Sequence, residues 1–166
     1  MYRTIAEFVD EWARESGISL KLMRALTDAS LPQKTYPEGR TLGQLGWHMV
    51  LMIGATGSIV GLEIVAPPRG AEPPTLASSI ADAYNTAAHS MNELASAKLK
   101  DVQLPTEVPF FGRSLPMERV LHALVLHQSH HRGQMTVLMR QAGLVPPGVY
   151  GPTREESDAM RATQGH

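Results

Sequence analysis

Two histidines four residues apart are the positions in this chain whose type and spacing best suit chemistry. His127 and His131 lie within a long, uninterrupted helical pattern. Residues four apart project from one face of an α-helix, with Cβ atoms roughly 5–6 Å apart, so the two imidazoles can approach one metal ion. A third ligand must come from another segment, and His48, which lies among apolar residues at helical spacing, is the best candidate.

Three neutral imidazoles would leave coordination positions open on such an ion. Sites with three protein ligands are typical of catalytic metal centres, in which water or substrate takes the remaining position. Imidazole suits zinc, nickel, copper and iron, so the ligand type does not identify the metal. A histidine on an apolar face can also be a hydrogen-bonded core residue, and both interpretations stay open from the residues alone.

The residues that surround the histidine pair allow further expectations. His130 diverges from His131 by about 100° around the helix, so we expect that it is not a metal ligand. Gln134 returns to the face of His131, where it could orient that ring from outside the coordination sphere. We expect Arg132 to form an ion pair away from the metal, and Gly133 to allow close approach of a neighbouring backbone.

No catalytic residue can be assigned beyond the predicted metal ligands. Glu63 and Glu118 are candidates for a general base, but their spacing does not place either at the site. Four apolar residues could form the walls of a pocket or belong only to the core: Met49, Met52, Leu124 and Met135. The remaining histidines are expected to be solvated or structural: His89, His122 and His166.

The composition narrows the classes of function. The 166 residues are most simply one domain, 1–166, and carry 15 basic and 16 acidic side chains. No basic block is present, so nucleic-acid binding is unsupported, because phosphate neutralisation needs clustered Lys and Arg. The chain has no cysteine, which excludes disulfides, cysteine-type zinc sites and a cysteine nucleophile. This fits a reducing compartment, and we expect a cytoplasmic protein.

Helical periodicity predicts an all-α protein, a four-helix bundle with long crossover loops and a short C-terminal helix. The predicted helices run from Thr4 to before Pro32, from Thr41 to about Leu62, from after Pro73-Pro74 through the stripe that ends near Leu94, and from Ser114 as N-cap to about Gln141. Thr153 and Glu156 indicate the short fifth helix. No strand is predicted.

The segment 41–62 carries no Asp, Glu, Lys or Arg and is long enough to cross a bilayer. Its polar residues and partial periodicity favour instead a helix buried inside the bundle, where its five glycines allow close contact between helices. Because this charge-free helix needs more cover than one neighbour offers, we expect a homodimer formed through helix faces.

Three motifs occur together: Leu45-Gly46-Trp47-His48, His127-x-x-His130-His131-Arg132-Gly133-Gln134, and Tyr150-Gly151-Pro152. In this combination the chain resembles the DinB-like family, within the wider DinB/YfiT group of metalloenzymes, over almost its whole length. The resemblance implies an often dimeric four-helix bundle whose metal ligands are His48, His127 and His131, with zinc or nickel as the usual ion. Related branches transfer low-molecular-weight thiols or isomerise thiol adducts, whereas the damage-inducible branch has no agreed reaction.

Two classes of function follow from these observations. A metal-dependent enzyme could lower the pKa of bound water to about 7 and act as a hydrolase. It could equally hold a small thiol as thiolate and act as a thiol S-transferase on small electrophilic molecules, which the resemblance favours. The other class is a non-catalytic, stress-related bundle that binds a small apolar ligand or a protein partner.

Overall fold

Residues 1–164 are described by the computed structural model of this chain. The elements are α1 (Ile5–Arg24), α2 (Leu42–Ile59), α3 (Ala77–Lys98), β1 (Glu107–Phe110), β2 (Arg113–Pro116), α4 (Met117–Gln141) and α5 (Arg154–Gln164). Short 3₁₀ turns at 28–30 and 101–103 interrupt two of the loops. The four long helices and the short C-terminal helix confirm the predicted fold class.

The four long helices form a ring in which α1 contacts α3 and α4, and α2 contacts the same two helices. Helices α1 and α2, although consecutive in the chain, therefore lie diagonally across the bundle. The same holds for α3 and α4, and both connections must cross from one side of the bundle to the other. This arrangement brings α2 against α4, the two helices that carry the predicted metal ligands.

Local side-chain hydrogen bonds define where three of the helices begin. The Thr4 hydroxyl accepts from the backbone N–H of Glu7 at the start of α1. Thr41 and Gln44 form a reciprocal capping box at the start of α2, so two backbone donors are satisfied that the helix itself cannot satisfy. Thr153 accepts from the N–H of Glu156 at the start of α5.

Two helix ends differ from the prediction by several residues. Helix α1 stops at Arg24, because the chain turns at Thr27 into a separate 3₁₀ turn that is closed by the Ser30 hydroxyl. Helix α2 stops at Ile59, because Gly61 adopts a φ of 80° in the left-handed region. Gly143, with a φ of 78°, ends α4 in the same way and as predicted.

The start of α4 was predicted wrongly, because Ser114 lies in strand β2 rather than at a helix N-cap. Strands β1 and β2 form an antiparallel hairpin in which Glu107 faces Pro116. The turn between them has two consecutive positive φ angles, at Phe111 and Gly112, which matches the twist of a two-residue hairpin. Backbone carbonyls of the preceding loop, at positions 104 and 106, accept from the first N–H groups of α4 in place of a serine hydroxyl.

The glycines of α2 lie where other segments approach closely. A Cβ at Gly46 would be 3.2 Å from Met23 Sδ and 3.3 Å from Ile80 Cγ2, and one at Gly54 would be 2.9 Å from the Ala66 Cβ. Helix α2 is therefore covered by α1, α3 and the loop that follows it. Within residues 1–164, no helix combines the length and the apolar character that a membrane span requires.

Candidate metal centre

The structure brings the three predicted histidines together in one group. His48 comes from α2, and His127 and His131 come from successive turns of α4. The Nε2 atom of His127 lies 3.1 Å from His48 Nε2 and 3.0 Å from His131 Nε2. Among residues 1–164 these three side chains form a group whose ligand atoms lie close enough to hold one ion.

The spacing of these nitrogens is compatible with a divalent metal. Ligands at about 2.0–2.1 Å from one ion, with angles between 90° and tetrahedral, are separated from one another by about 2.9 to 3.3 Å. Hydrogen bonding alone satisfies the group poorly, because His127 Nε2 carries at most one proton and faces two other nitrogens. A cation at the centre would interact favourably with all three lone pairs at once.

Gln134 sets the tautomer of His131. The Nδ1 atom of His131 lies 2.7 Å from Gln134 Oε1, an amide oxygen that only accepts, so Nδ1–H donates and Nε2 presents a lone pair to the group. This is the support that metal-binding histidines commonly have outside the coordination sphere. In the part of the chain described here, His127 Nδ1 is buried without a partner, so no comparable hydrogen bond fixes the tautomer of that ring.

The surroundings keep these imidazoles neutral. Burial lowers the pKa of His48 to about 4, with the positive charge of Arg40 as the next cause. Burial also lowers the pKa of His127 to about 4, followed by the neighbouring His131 and His48. The pKa of His131 is lowered chiefly by burial, although its hydrogen bond to Gln134 opposes the shift. Neutral imidazole is the form that binds a metal ion.

Gln128, which sequence reasoning missed, holds α2 and α4 in register beside the group. Its fully buried side chain donates from Nε2 to the carbonyl of Met49 over 3.1 Å. Its Oε1 accepts from the Tyr84 hydroxyl of α3 over 3.0 Å. Gln128 follows His127 and Met49 follows His48, so this hydrogen bond joins the two helices one residue away from each of the facing imidazoles.

Arg132 points away from the three histidines, as expected, and forms a buried ion pair with Glu15. Its guanidinium also donates to the Glu15 carbonyl over 2.7 Å and to Ser19 Oγ over 3.0 Å. The Tyr150 hydroxyl completes the network, accepting from Arg132 and donating to Glu15 over 2.6 Å. This network attaches α1 and the segment after α4 to the metal-bearing helix.

The other singled-out residues lie apart from the three nitrogens. The exposed His130 packs edge-on against the His131 ring, with centroids 4.9 Å apart, and is not part of the group. His89 pairs with Glu93 over 3.2 Å, and His122 packs edge-on against Tyr2. His166 lies outside the described residues. The candidate bases Glu63 and Glu118 do not line the pocket described below.

One expectation about the neighbourhood of the site was wrong within this chain, and one open alternative is decided in favour of the core. Nothing within residues 1–164 lies within 4 Å of a Cβ built at Gly133, so no backbone of this chain approaches it closely. Three of the four proposed wall residues, Met49, Leu124 and Met135, belong to the buried core. The pocket beside the histidines has a volume of about 390 Å³ and is lined by Thr35, Tyr36, Arg40, Leu45, His130, His131, Gln134, Val137 and Leu138.

Comparisons with known proteins cover nearly the whole chain. A family model described as DinB family matches residues 1–164. The chain is 41% identical over 156 residues to a Bacillus subtilis (strain 168) protein named uncharacterized protein YrdA, covering 94% of this chain and 93% of that protein. A crystal structure of a DinB-like protein from Bacillus cereus ATCC 10987 is similar with a TM-score of 0.86 and 43% identity, over 90% of this chain and 100% of that one.

A more distant solved structure shares the fold. It is the DinB-like protein YjoA from Bacillus subtilis, with a TM-score of 0.69 and 17% identity, over 89% of this chain and 99% of that chain. The long crossover loops and the four long helices are thus features of a known architecture.

Proposed function

This chain belongs to the DinB family, and from that premise we propose that it is a single-domain, metal-dependent thiol S-transferase that acts on small electrophilic molecules. In this proposal His48, His127 and His131 bind one divalent transition metal, zinc or nickel. The observation that supports it is the convergence of three neutral imidazoles, with His131 also lining a pocket of about 390 Å³. That volume falls within the range of about 300–1,000 Å³ of small-molecule sites.

A divalent ion at this position would favour the thiolate form of a small thiol, whose free pKa is about 8.5. The chain contains no cysteine, so the sulfur nucleophile must come from solution. In the transfer, the sulfur forms a bond to the electrophilic carbon, the S–H proton passes to solvent, and the leaving group departs with its bonding electron pair. No covalent bond to the protein is needed.

The lining of the pocket suits transfer better than hydrolysis. Leu45, Val137 and Leu138 supply apolar surface on which an electrophile can displace water. The lining includes no carboxylate, so no acidic side chain of the pocket could act as general base for an attacking water, as in many hydrolases. A thiol that ionises at the metal needs no such base.

The proposal is tested with cobalt-loaded protein that is titrated with 2-mercaptoethanol and cysteine. We expect a sulfur-to-cobalt charge-transfer band, and conjugation of at least one of these thiols to members of a panel of electrophiles. The His48→Ala variant should lose both signals, while His89→Ala, which changes an exposed histidine paired with Glu93, should keep them. If no thiol perturbs the spectrum and none is conjugated, a non-catalytic binding protein replaces the transferase.

Metal affinity should begin to fall at a lower pH than it would with ordinary histidines, because the pKa values of all three ligands are lowered. Ordinary histidines, with a pKa near 6.5, would already compete with the metal for protons below that pH. Here the pKa values of His48 and His127 are about 4, so both ligands stay neutral until the pH approaches that value. Below it, each ligand that protonates lowers the apparent affinity by up to about tenfold per pH unit.

The measurement is a zinc competition titration in non-chelating buffers, with circular dichroism at each pH to separate metal release from unfolding. An affinity that declines steadily from pH 6.5 would contradict the lowered pKa values of the three histidines.

The homodimer stays a prediction, although its basis changes. Helix α2 is covered within its own chain, whereas α4 exposes Leu126, Gly133 and Val137 at spacings of seven and four residues, which places them on one face. We propose that a second copy of the chain packs on this stripe, where Gly133 leaves room for a partner backbone.

Light scattering at micromolar concentration should then give twice the 18.1 kDa mass of the chain. Leu126→Glu should shift the species toward the monomer, because a charge in an apolar interface has no partner, and Leu126 does not line the pocket. A monomeric mass for the unmodified chain would remove the proposal.

A further inference from the structure

Arg40 is a charged side chain of the pocket that the proposed reaction leaves without a role. It lines the same cavity as His131. Within residues 1–164 its guanidinium forms no salt bridge and no side-chain hydrogen bond, whereas Arg140, for example, binds Glu155 with two hydrogen bonds of 2.6 and 2.7 Å. An unpaired guanidinium beside a small cavity is available to a ligand.

The positive charge of Arg40 lies in the same cavity as His131, one of the three histidines. The pocket lining includes no acidic residue that would neutralise this charge. A ligand in this cavity therefore lies beside an uncompensated guanidinium.

Backbone hydrogen bonds hold the segment that carries Arg40 in place. The N–H of Gly39 donates to the Tyr36 carbonyl over 3.0 Å, and the N–H of Leu42 donates to the Gln33 carbonyl over 2.8 Å. A Cβ at position 39 would lie 3.0 Å from the Tyr36 ring and 3.1 Å from the Tyr36 carbonyl oxygen, so a larger residue there would have to displace this wall slightly. The wall formed by Tyr36 and Arg40 is thus built before any ligand arrives.

The N-terminus of α2, which follows Arg40, is not an alternative anion site. Its first three N–H groups already donate, to the Gln33 carbonyl, the Leu31 carbonyl and Thr41 Oγ1. The charged donors at this edge of the pocket therefore belong to the Arg40 side chain, beside the neutral hydroxyls of Thr35 and Tyr36.

We propose that this pocket binds the carboxylate of a small acid substrate through Arg40, while the reactive end of that molecule lies at the three-histidine group. One guanidinium supplies a single positive charge in a planar fork, which matches one carboxylate in both geometry and charge. The inference rests on the proposed function and names its substrate class: at least one of the two reactants is an acid.

The test compares thiols of equal reach and different charge on cobalt-loaded protein: 3-mercaptopropionate, 2-mercaptoethanol and cysteamine. The acid should bind roughly tenfold more tightly than the neutral thiol, because a hydrogen bond to a charged group is worth at least that factor, and the cationic thiol should bind most weakly. Arg40→Gln should remove the preference without changing the metal content, and Arg40→Lys should keep part of it.

The matched control is Arg119→Gln. Arg119 is also exposed and forms no salt bridge in the described part of the chain, and it lies eight residues before His127, about 12 Å along α4. The Arg119→Gln substitution also removes one positive charge, but away from the pocket. The preference for the acidic thiol should therefore survive in this variant. Equal loss in both variants would indicate general electrostatics and would overturn the assignment to Arg40.

A second arm uses succinate, which has no thiol, in calorimetric titrations of zinc-loaded protein. The three thiols could bind with equal affinity while succinate binds only when Arg40 is present. In that case the electrophile, and not the thiol, is the reactant that carries the carboxylate, and the proposal stands. If no thiol perturbs the cobalt spectrum, the transferase fails, while succinate still decides the carboxylate site. Absence of any Arg40-dependent preference in both arms overturns the inference.

Discussion

His127→Ala is expected to abolish stoichiometric binding of zinc or nickel. His127 Nε2 is the central nitrogen of the group, within 3.0–3.1 Å of both other Nε2 atoms. Its loss leaves one imidazole on each of two helices, which is too few for a firm site. The affinity should fall by more than the roughly 10- to 100-fold that loss of an outer partner costs. Elemental analysis after loading and gel filtration measures the effect.

The neighbouring His130 provides the control for that experiment. It lies in the same motif but is exposed and outside the group, so His130→Ala should retain the metal. Full occupancy in His127→Ala would refute the ligand assignment. If His130→Ala lost metal as completely as His131→Ala, the exposed histidine would have to be a ligand.

Glu15→Ala should be the most destabilising single change outside the metal centre. Arg132 is fully buried, and Glu15, with 3% of its surface exposed, is its counter-ion. Burial alone would raise the pKa of Glu15, but hydrogen bonds from Tyr150 and Arg132 outweigh it and hold the carboxylate ionised. Removing it leaves an uncompensated buried charge, which costs about 3–5 kcal/mol of unfolding free energy.

Urea unfolding followed by circular dichroism measures this cost. Glu7→Ala is the matched control, because Glu7 lies on the same helix and pairs with Arg3 at the surface, so its loss should change stability little. The double variant Glu15→Met with Arg132→Leu should recover much of the loss, because it removes the stranded charge. If the Glu15→Ala protein were as stable as the Glu7→Ala protein, the ion pair between Glu15 and Arg132 would not contribute the expected stability.

The features that the sequence predicted are those that depend on nearby residues. The capping threonines Thr4 and Thr41, and the four-residue spacing of His127 and His131, act within one or two helical turns. His48 could be named as the candidate third ligand from its position among apolar residues at helical spacing, but its partner His127 is 79 residues away, so spacing alone could not show that the two side chains meet. Its inclusion in the group follows from the packing of α2 on α4, which periodicity alone does not specify.

The residues that were missed depend on distant partners or on weak local signals. In the sequence, Gln128 is one of several polar residues in a helical pattern, and only the structure shows its hydrogen bond to the Met49 carbonyl. Glu15 pairs with a residue 117 positions away. The hairpin escaped prediction because its strands have only four residues each, while Ser114 and Pro116 imitate the start of a helix.

The hydrogen bond from Gln128 to Met49 also determines which parts of the molecule can move. Sliding α4 along α2 by one turn, about 5.4 Å, would break it together with the bond to Tyr84, and would strand buried polar groups. The two helices and their imidazoles therefore move as one body. The pocket wall formed by Tyr36 and Arg40 is likewise held by backbone hydrogen bonds. The histidine group should accordingly keep its geometry while substrate enters and product leaves.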